Sequence, residues 1–110
     1  MWASNLELVR HIFDECEFII THTQGKTENQ VLDDKVLLKA LERSIEIIGE
    51  ATKKLTDQFK NQHSSIEWKK IAGTRDKLIH DYYGIDYDIV WDILTTKIKE
   101  LHLYLLDQVK

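Results

Sequence analysis

Proline is missing from this sequence altogether, and only four of its 110 residues are glycine. Long uninterrupted helices are therefore allowed, because these two residues cost a helix interior about 3 and about 1 kcal/mol relative to alanine. Cysteine occurs once, at Cys16. A single thiol excludes an internal disulfide and points to an intracellular chain, so a cytoplasmic location is expected. No apolar run approaches the roughly 18 residues that a membrane span needs. Met1-Trp2-Ala3-Ser4 does not open a basic stretch followed by an apolar one, so no signal peptide is expected. Lysine and arginine, 15 in all, are outnumbered by 19 aspartates and glutamates, for a net charge of -4. That balance argues against a broad nucleic-acid-coating surface and leaves room for a local basic cleft. There is no HExxH, no Cys/His cluster, no glycine-rich phosphate loop and no convincing acidic constellation for Mg²⁺. Neither a metal nor a cofactor is expected.

What is present is helical periodicity. A first helix begins at Ser4, with Glu7 completing a capping box. Leu6, Val9, Phe13, Cys16 and Ile20 recur at spacings of three and four, one face directed at a core. Leu8, Ile12 and Ile19 widen that stripe, either as further core or as a second packing surface. Cys16 reads as a small core residue, and His11 with Glu15 as a surface pair. Thr27 and Gln30 cap a short turn after a polar loop. A longer helix runs from Asp33 or Asp34 to about Asn61, burying Leu37 or Leu38, Leu41, Ile45, Ile48, Leu55 and Phe59. Gly49 inside it calls for a close helix crossing.

A third segment runs from Ile66 to about Tyr83, with Gly73 as a kink or division and Gly84 as a left-handed stop. Asp86 or Asp88 caps a last helix that carries Val90, Leu94, Ile98, Leu101 and Leu105. No strand signal and no repeat appear. A chain of this size buries roughly two-thirds of its unfolded surface, enough for one core. The expected architecture is a single all-α domain over 1–110, an antiparallel bundle of four to five helices.

Chemistry concentrates in one stretch, Gly73 to Gly84, which brings Arg75, His80, Tyr82 and Tyr83 close together in sequence. Around it Lys69, Lys70, Arg75 and Lys77 stand against one acid, Asp76. Such a segment is either a wet helix face or a place where phosphates are held by charge and by the arginine fork. His80 is either a hydrogen-bonded structural residue or a proton carrier near neutral pH. RNA cleavage without metal needs a base for the 2'-hydroxyl, an acid for the leaving 5'-oxygen and positive charge on the phosphorane. His80 can do the proton work and Arg75 the charge work. On a regular helix five residues turn about 140° beyond one full circle, so Arg75 and His80 diverge unless their long side chains converge, the helix distorts near its end or a second copy completes the cleft, the last being the most economical. Arg75 and Tyr82, seven apart, share a side. Arg43, Glu46 and Glu50 lie on one polar side of the second helix, as a solvated face or as support for the cleft. Trp68, Tyr82, Tyr83 and Tyr87 offer rings for base stacking, although Trp68 and Trp91 read more readily as core.

Arg75, four residues, His80, one residue and Tyr82 resemble the motif of the HEPN superfamily, specifically of HepT-type toxins. Three further blocks match in order: Arg43 to Ala51, Trp68 to Gly73, and Tyr83-Gly84-Ile85-Asp86 on to Trp91. The resemblance spans nearly the whole chain. It implies the HEPN fold, a homodimer with the Arg-His motifs facing a shared cleft, and a metal-independent endoribonuclease toxin acting on tRNA or mRNA. It also implies a nucleotidyltransferase antitoxin of the MntA type that transfers AMP to Tyr82. Arg75 and His80 are then catalytic. Arg43, Glu46, Glu50, Lys77 and Tyr83 are candidates for support or RNA binding. The alternative is a non-enzymatic module that scaffolds a partner nucleotidyltransferase or supplies it with nucleotide.

Overall fold

The computed structural model describes residues 4–83 and 86–109, with side chains for 4–78 and 86–109. Every regular element among them is helical. In chain order these are α1 (Asn5–Thr23), α2 (Glu28–Leu32), α3 (Lys35–Lys54), α4 (Asp57–Gln62), α5 (Trp68–Ala72), α6 (Thr74–Tyr83), α7 (Tyr87–Asp92) and α8 (Ile98–Leu106). A π-turn, Ile93–Lys97, joins α7 to α8. The all-α expectation holds: α3 packs against α1, α5 and α6, and α1 packs also against α8.

Local chemistry sets the starts. Ser4 Oγ accepts from the Glu7 N–H. Thr27 and Gln30 make both halves of a capping box. Asp34 and Asp86 accept from the N–H groups of Leu37 and Ile89. Each satisfies an orphan donor in a first turn, worth about 1 kcal/mol.

The stripe of α1 is centred differently from the expectation. Leu6 is exposed, whereas Leu8, Val9, Ile12, Phe13, Cys16 and Ile19 are buried. The extra width is core, because α1 packs against both α3 and α8. On the α8 side the His102 ring stacks on Phe13 at 4.4 Å. Cys16 is fully buried. Burial, and then the charge of Glu15, push its thiol up to about 12, which suits a core group and not a nucleophile.

The second long helix does not reach Asn61. It stops at Lys54, with Leu55 extended and Thr56 opening α4. Thr56 is held there by a local cap and by a partner far off in sequence. Asn5 Nδ2 donates to Thr56 Oγ1 at 3.0 Å, and the Thr56 N–H donates to Asn5 Oδ1 at 3.1 Å. Thr56 Oγ1 also accepts from the Phe59 N–H. Three hydrogen bonds outside the α3 ladder outweigh its continuation. They also join the start of α1 to the end of α3, so the two rods run antiparallel. Just past α4, the His63 Nδ1 lies 2.9 Å from the Tyr104 hydroxyl of α8.

Gly49 provides the crossing its position called for. A Cβ there would stand 3.1 Å from the Ala72 carbonyl oxygen, so α5 rests directly on the backbone of α3. Gly73 divides α5 from α6 as expected. Gly84 lies outside the described residues. In the last rod Val90, Leu94, Ile98, Leu101 and Leu105 are all buried. No helix among the described residues is long and apolar enough to cross a membrane.

Candidate functional site

The site is built on α6. Gly73 ends α5, and Thr74 Oγ1 donates back to the Lys70 carbonyl at 2.8 Å, tying the new helix to the old. Leu78, 2% exposed, anchors α6 in the core. Arg75 stands one turn earlier, on the side nearest α3, with about half of its side chain exposed. Its Nε lies 3.5 Å from Glu46 Oε2. The other oxygen of that carboxylate, Oε1, accepts from Arg43 Nη1 at 3.2 Å. One carboxylate on α3 thus spans two guanidiniums, one from its own helix and one from α6. Arg75 Nη1 also lies 3.6 Å from the exposed Asp76, the one acid of the basic segment.

The structure therefore brings Arg43, Glu46 and Arg75 together. Glu50, one turn on from Glu46, is exposed. Lys77 is placed elsewhere: with Lys70, Lys97, Asp92 and Glu100 it rims a groove of about 600 Å³ floored by isoleucines. Lys70 is also paired, with Glu67 at 2.8 Å. That hydrogen bond and the Lys70 charge hold the Glu67 carboxyl below its ordinary value, and Lys97 adds to the effect. Trp68 is buried, with its Nε1 donating to the His63 carbonyl, and Trp91 is partly buried against the core. The side chains of His80, Tyr82 and Tyr83 lie outside the described residues. Their backbone continues α6. Positions 75 and 80 on one helix are about 140° apart in angle, and position 82 returns to the side of 75.

A second concavity, of about 370 Å³, lies between α2 and α7 and is lined by Glu28, Asp33, Asp86, Tyr87 and Asp88. Desolvation, then the charge of Asp88 and its hydrogen bond, raise the Glu28 carboxyl above its ordinary value. Neither concavity includes Arg43, Glu46 or Arg75. The described residues contain no group of three or more His, Cys, Asp or Glu arranged to hold a metal ion.

What the arginine pair can do chemically is hold anionic oxygen. Guanidiniums meet phosphate through paired N–H donors and remain charged at any working pH.

The chain matches the family model described as "Ribonuclease HepT-like" over residues 12–107. It is 47% identical over 93 residues to "Putative RNase TTE0752" of Caldanaerobacter subterraneus subsp. tengcongensis, covering 84% of this chain and 83% of that one. It is 45% identical over 87 residues to "Putative RNase MJ0127" of Methanocaldococcus jannaschii, covering 79% and 72%. It is 36% identical over 101 residues to "Probable ribonuclease HepT" of Thermococcus cleftensis, covering 92% of each. No solved structure matches. With a family model covering most of its length and relatives alike across most of theirs, the chain belongs to the ribonuclease HepT-like family.

Proposed function

We propose that this chain is a metal-independent endoribonuclease, the toxic member of a toxin–antitoxin pair, with Arg75 and His80 as its catalytic residues. The observation that carries the reading is the Arg75 guanidinium, held against Glu46 at 3.5 Å yet half exposed, on the helix that also bears position 80. The names of the family and of its relatives support ribonuclease chemistry.

The step requires no redox partner. His80 takes the proton of a ribose 2'-hydroxyl, and the 2'-oxygen forms a bond to the adjacent phosphorus. The phosphorus–5'-oxygen bond breaks and the leaving oxygen takes that proton from His80, giving a 2',3'-cyclic phosphate. Arg75 stabilises the charge that builds on the phosphorane oxygens. Because positions 75 and 80 diverge around α6, a homodimer with a shared cleft supplies the facing pair: Arg75 of one copy with His80 of the other. Chain 1–110 acts in this reading as one domain.

Control falls on Tyr82. A partner nucleotidyltransferase of the MntA type directs the phenol oxygen onto the α-phosphorus of ATP; an O–P bond forms and pyrophosphate leaves. The added AMP brings bulk and negative charge to the side of α6 that carries Arg75, and RNA is repelled.

The test is cleavage of single-stranded RNA in EDTA by freshly purified, unmodified chain. Wild type is expected to leave cyclic-phosphate ends, and Arg75→Ala and His80→Ala to lose at least about 100-fold in rate. Equal cleavage by both variants removes the assigned roles. No cleavage by wild type removes the enzyme and leaves a binding module. An unmodified Tyr82 after co-expression with the nucleotidyltransferase removes the control step.

A further inference from the structure

We propose that Arg43 and Arg75, spanned by Glu46, form a clamp for two consecutive phosphates of one RNA strand, with Arg75 on the scissile phosphate and Arg43 on its neighbour. This rests on the ribonuclease reading for its substrate and adds a second contact point that sets the minimal substrate.

The geometry is specific. Glu46 engages one nitrogen of each guanidinium, at 3.2 Å for Arg43 and 3.5 Å for Arg75, through its two separate oxygens. The cations therefore stand no farther apart than two ion-pair lengths plus the width of a carboxylate, the scale of one nucleotide step. Two like charges held that close repel, and the carboxylate between them offsets the repulsion while fixing their spacing. Both side chains stay open to solvent, 62% for Arg43 and 48% for Arg75.

Stability does not account for the arrangement. Exposed ion pairs contribute about 0–1 kcal/mol, so three of them in a row add little to the fold. A phosphate offers both guanidiniums stronger partners, because charge-assisted bonds to oxyanions are short and suited to the arginine fork. Asp76, with 81% of its side chain exposed and 3.6 Å from Arg75, is the partner a phosphate displaces most easily. Glu46 is less exposed and carries both contacts, so it stays as the spacer. A strand with at least two adjacent phosphates fills the clamp; a substrate with the scissile phosphate alone fills half of it.

The experiment measures binding of a short, fluorescein-labelled, 2'-O-methylated oligoribonucleotide by anisotropy, as a function of salt. Blocking the 2'-oxygen prevents cleavage, so the readout is independent of catalysis. Arg43→Gln is expected to weaken binding about tenfold. It should also flatten the slope of log affinity against log salt by about 0.7, the value for one lost phosphate contact on a single strand. Arg43→Lys keeps the charge and should restore the slope. Wild-type affinity and slope in Arg43→Gln overturn the clamp, as does failure of the wild type to bind. Should the expected slopes appear in a chain that cleaves nothing, the clamp stands and the ribonuclease falls. Should the chain cleave RNA while Arg43→Gln binds as wild type does, the reverse holds.

Discussion

Glu46 and Arg75 lie on helices separated by two shorter ones in the chain, yet their charged groups meet at 3.5 Å. The contact fixes one edge of a guanidinium whose side chain would otherwise sample many rotamers. Glu46→Gln keeps the size and removes the charge. The expected result is a kcat for RNA cleavage about tenfold lower, the order of one lost charge-assisted bond. Thermal stability should hardly move, since all the groups are partly exposed. An unaltered kcat would count against a positioning role.

The closeness of α3 and α5 at Gly49 gives a prediction that runs against helix propensity. Alanine should favour the helix by about 1 kcal/mol. Its methyl would instead meet the Ala72 carbonyl at 3.1 Å, and a backbone oxygen cannot rotate away. Overpacking of this kind costs about 1–3 kcal/mol. Gly49→Ala should therefore lower Tm by a few degrees. It should also weaken cleavage, because α5 leads directly into the helix that carries Arg75. A rise in Tm would show that α5 shifts freely.

Asn5, half-buried, is predicted to matter more than a polar residue in a first helical turn usually does. Asn5→Ala removes both hydrogen bonds to Thr56 and leaves the Thr56 N–H to water. The expected loss is about 1–2 kcal/mol, and urea unfolding measures it directly. Asn5→Asp keeps the acceptor for that N–H and should recover part of the loss. A midpoint equal to wild type in Asn5→Ala would mean that Thr56 ends α3 unaided.

Glu28 gives a pH signature. Its carboxyl is raised by desolvation and by Asp88, so the folded state binds its proton more tightly than the unfolded state does. The resulting stability is present below the ordinary glutamate range and is lost as pH rises through the raised value. Asp33, Asp86 and Asp88 line the same pocket and give Glu28 no cation in exchange. Glu28→Gln should therefore melt above wild type at neutral pH, with the difference closing as the solution is acidified through the raised value. A difference independent of pH would mean that the gain comes from something other than charge.

Much of this fold could be read from the chain because its signals are local. Ser4, Thr27, Asp34 and Asp86 each cap a helix through a bond to a residue three positions on, and such bonds depend on little else. The break at Leu55–Thr56 could not be read in the same way. Threonine at position 56 is also compatible with a continuing helix, and its partner at the break, Asn5, lies 51 positions away. The same holds at the site. Arg43 and Glu46 are visible as a pair three apart on one helix, whereas the link from Glu46 to Arg75 depends on α5 crossing α3 at Gly49. Lys77, grouped with Arg75 by proximity in sequence, turns instead toward the groove with Lys70 and Lys97.

The π-turn at Ile93–Lys97 has a consequence for chain length. Val90, Leu94 and Ile98 follow one another by two steps of four, which on a plain α-helix drift sideways; a wider turn rotates less per residue and brings all three back over the core. The bulge is in effect one surplus residue absorbed on the spot, with the flanking coils kept in phase. Excising one amino acid from this loop of backbone should leave an ordinary helix whose far end still meets its neighbours. The same excision between Ile98 and Leu101, within α8, would swing Leu101 and Leu105 out into water.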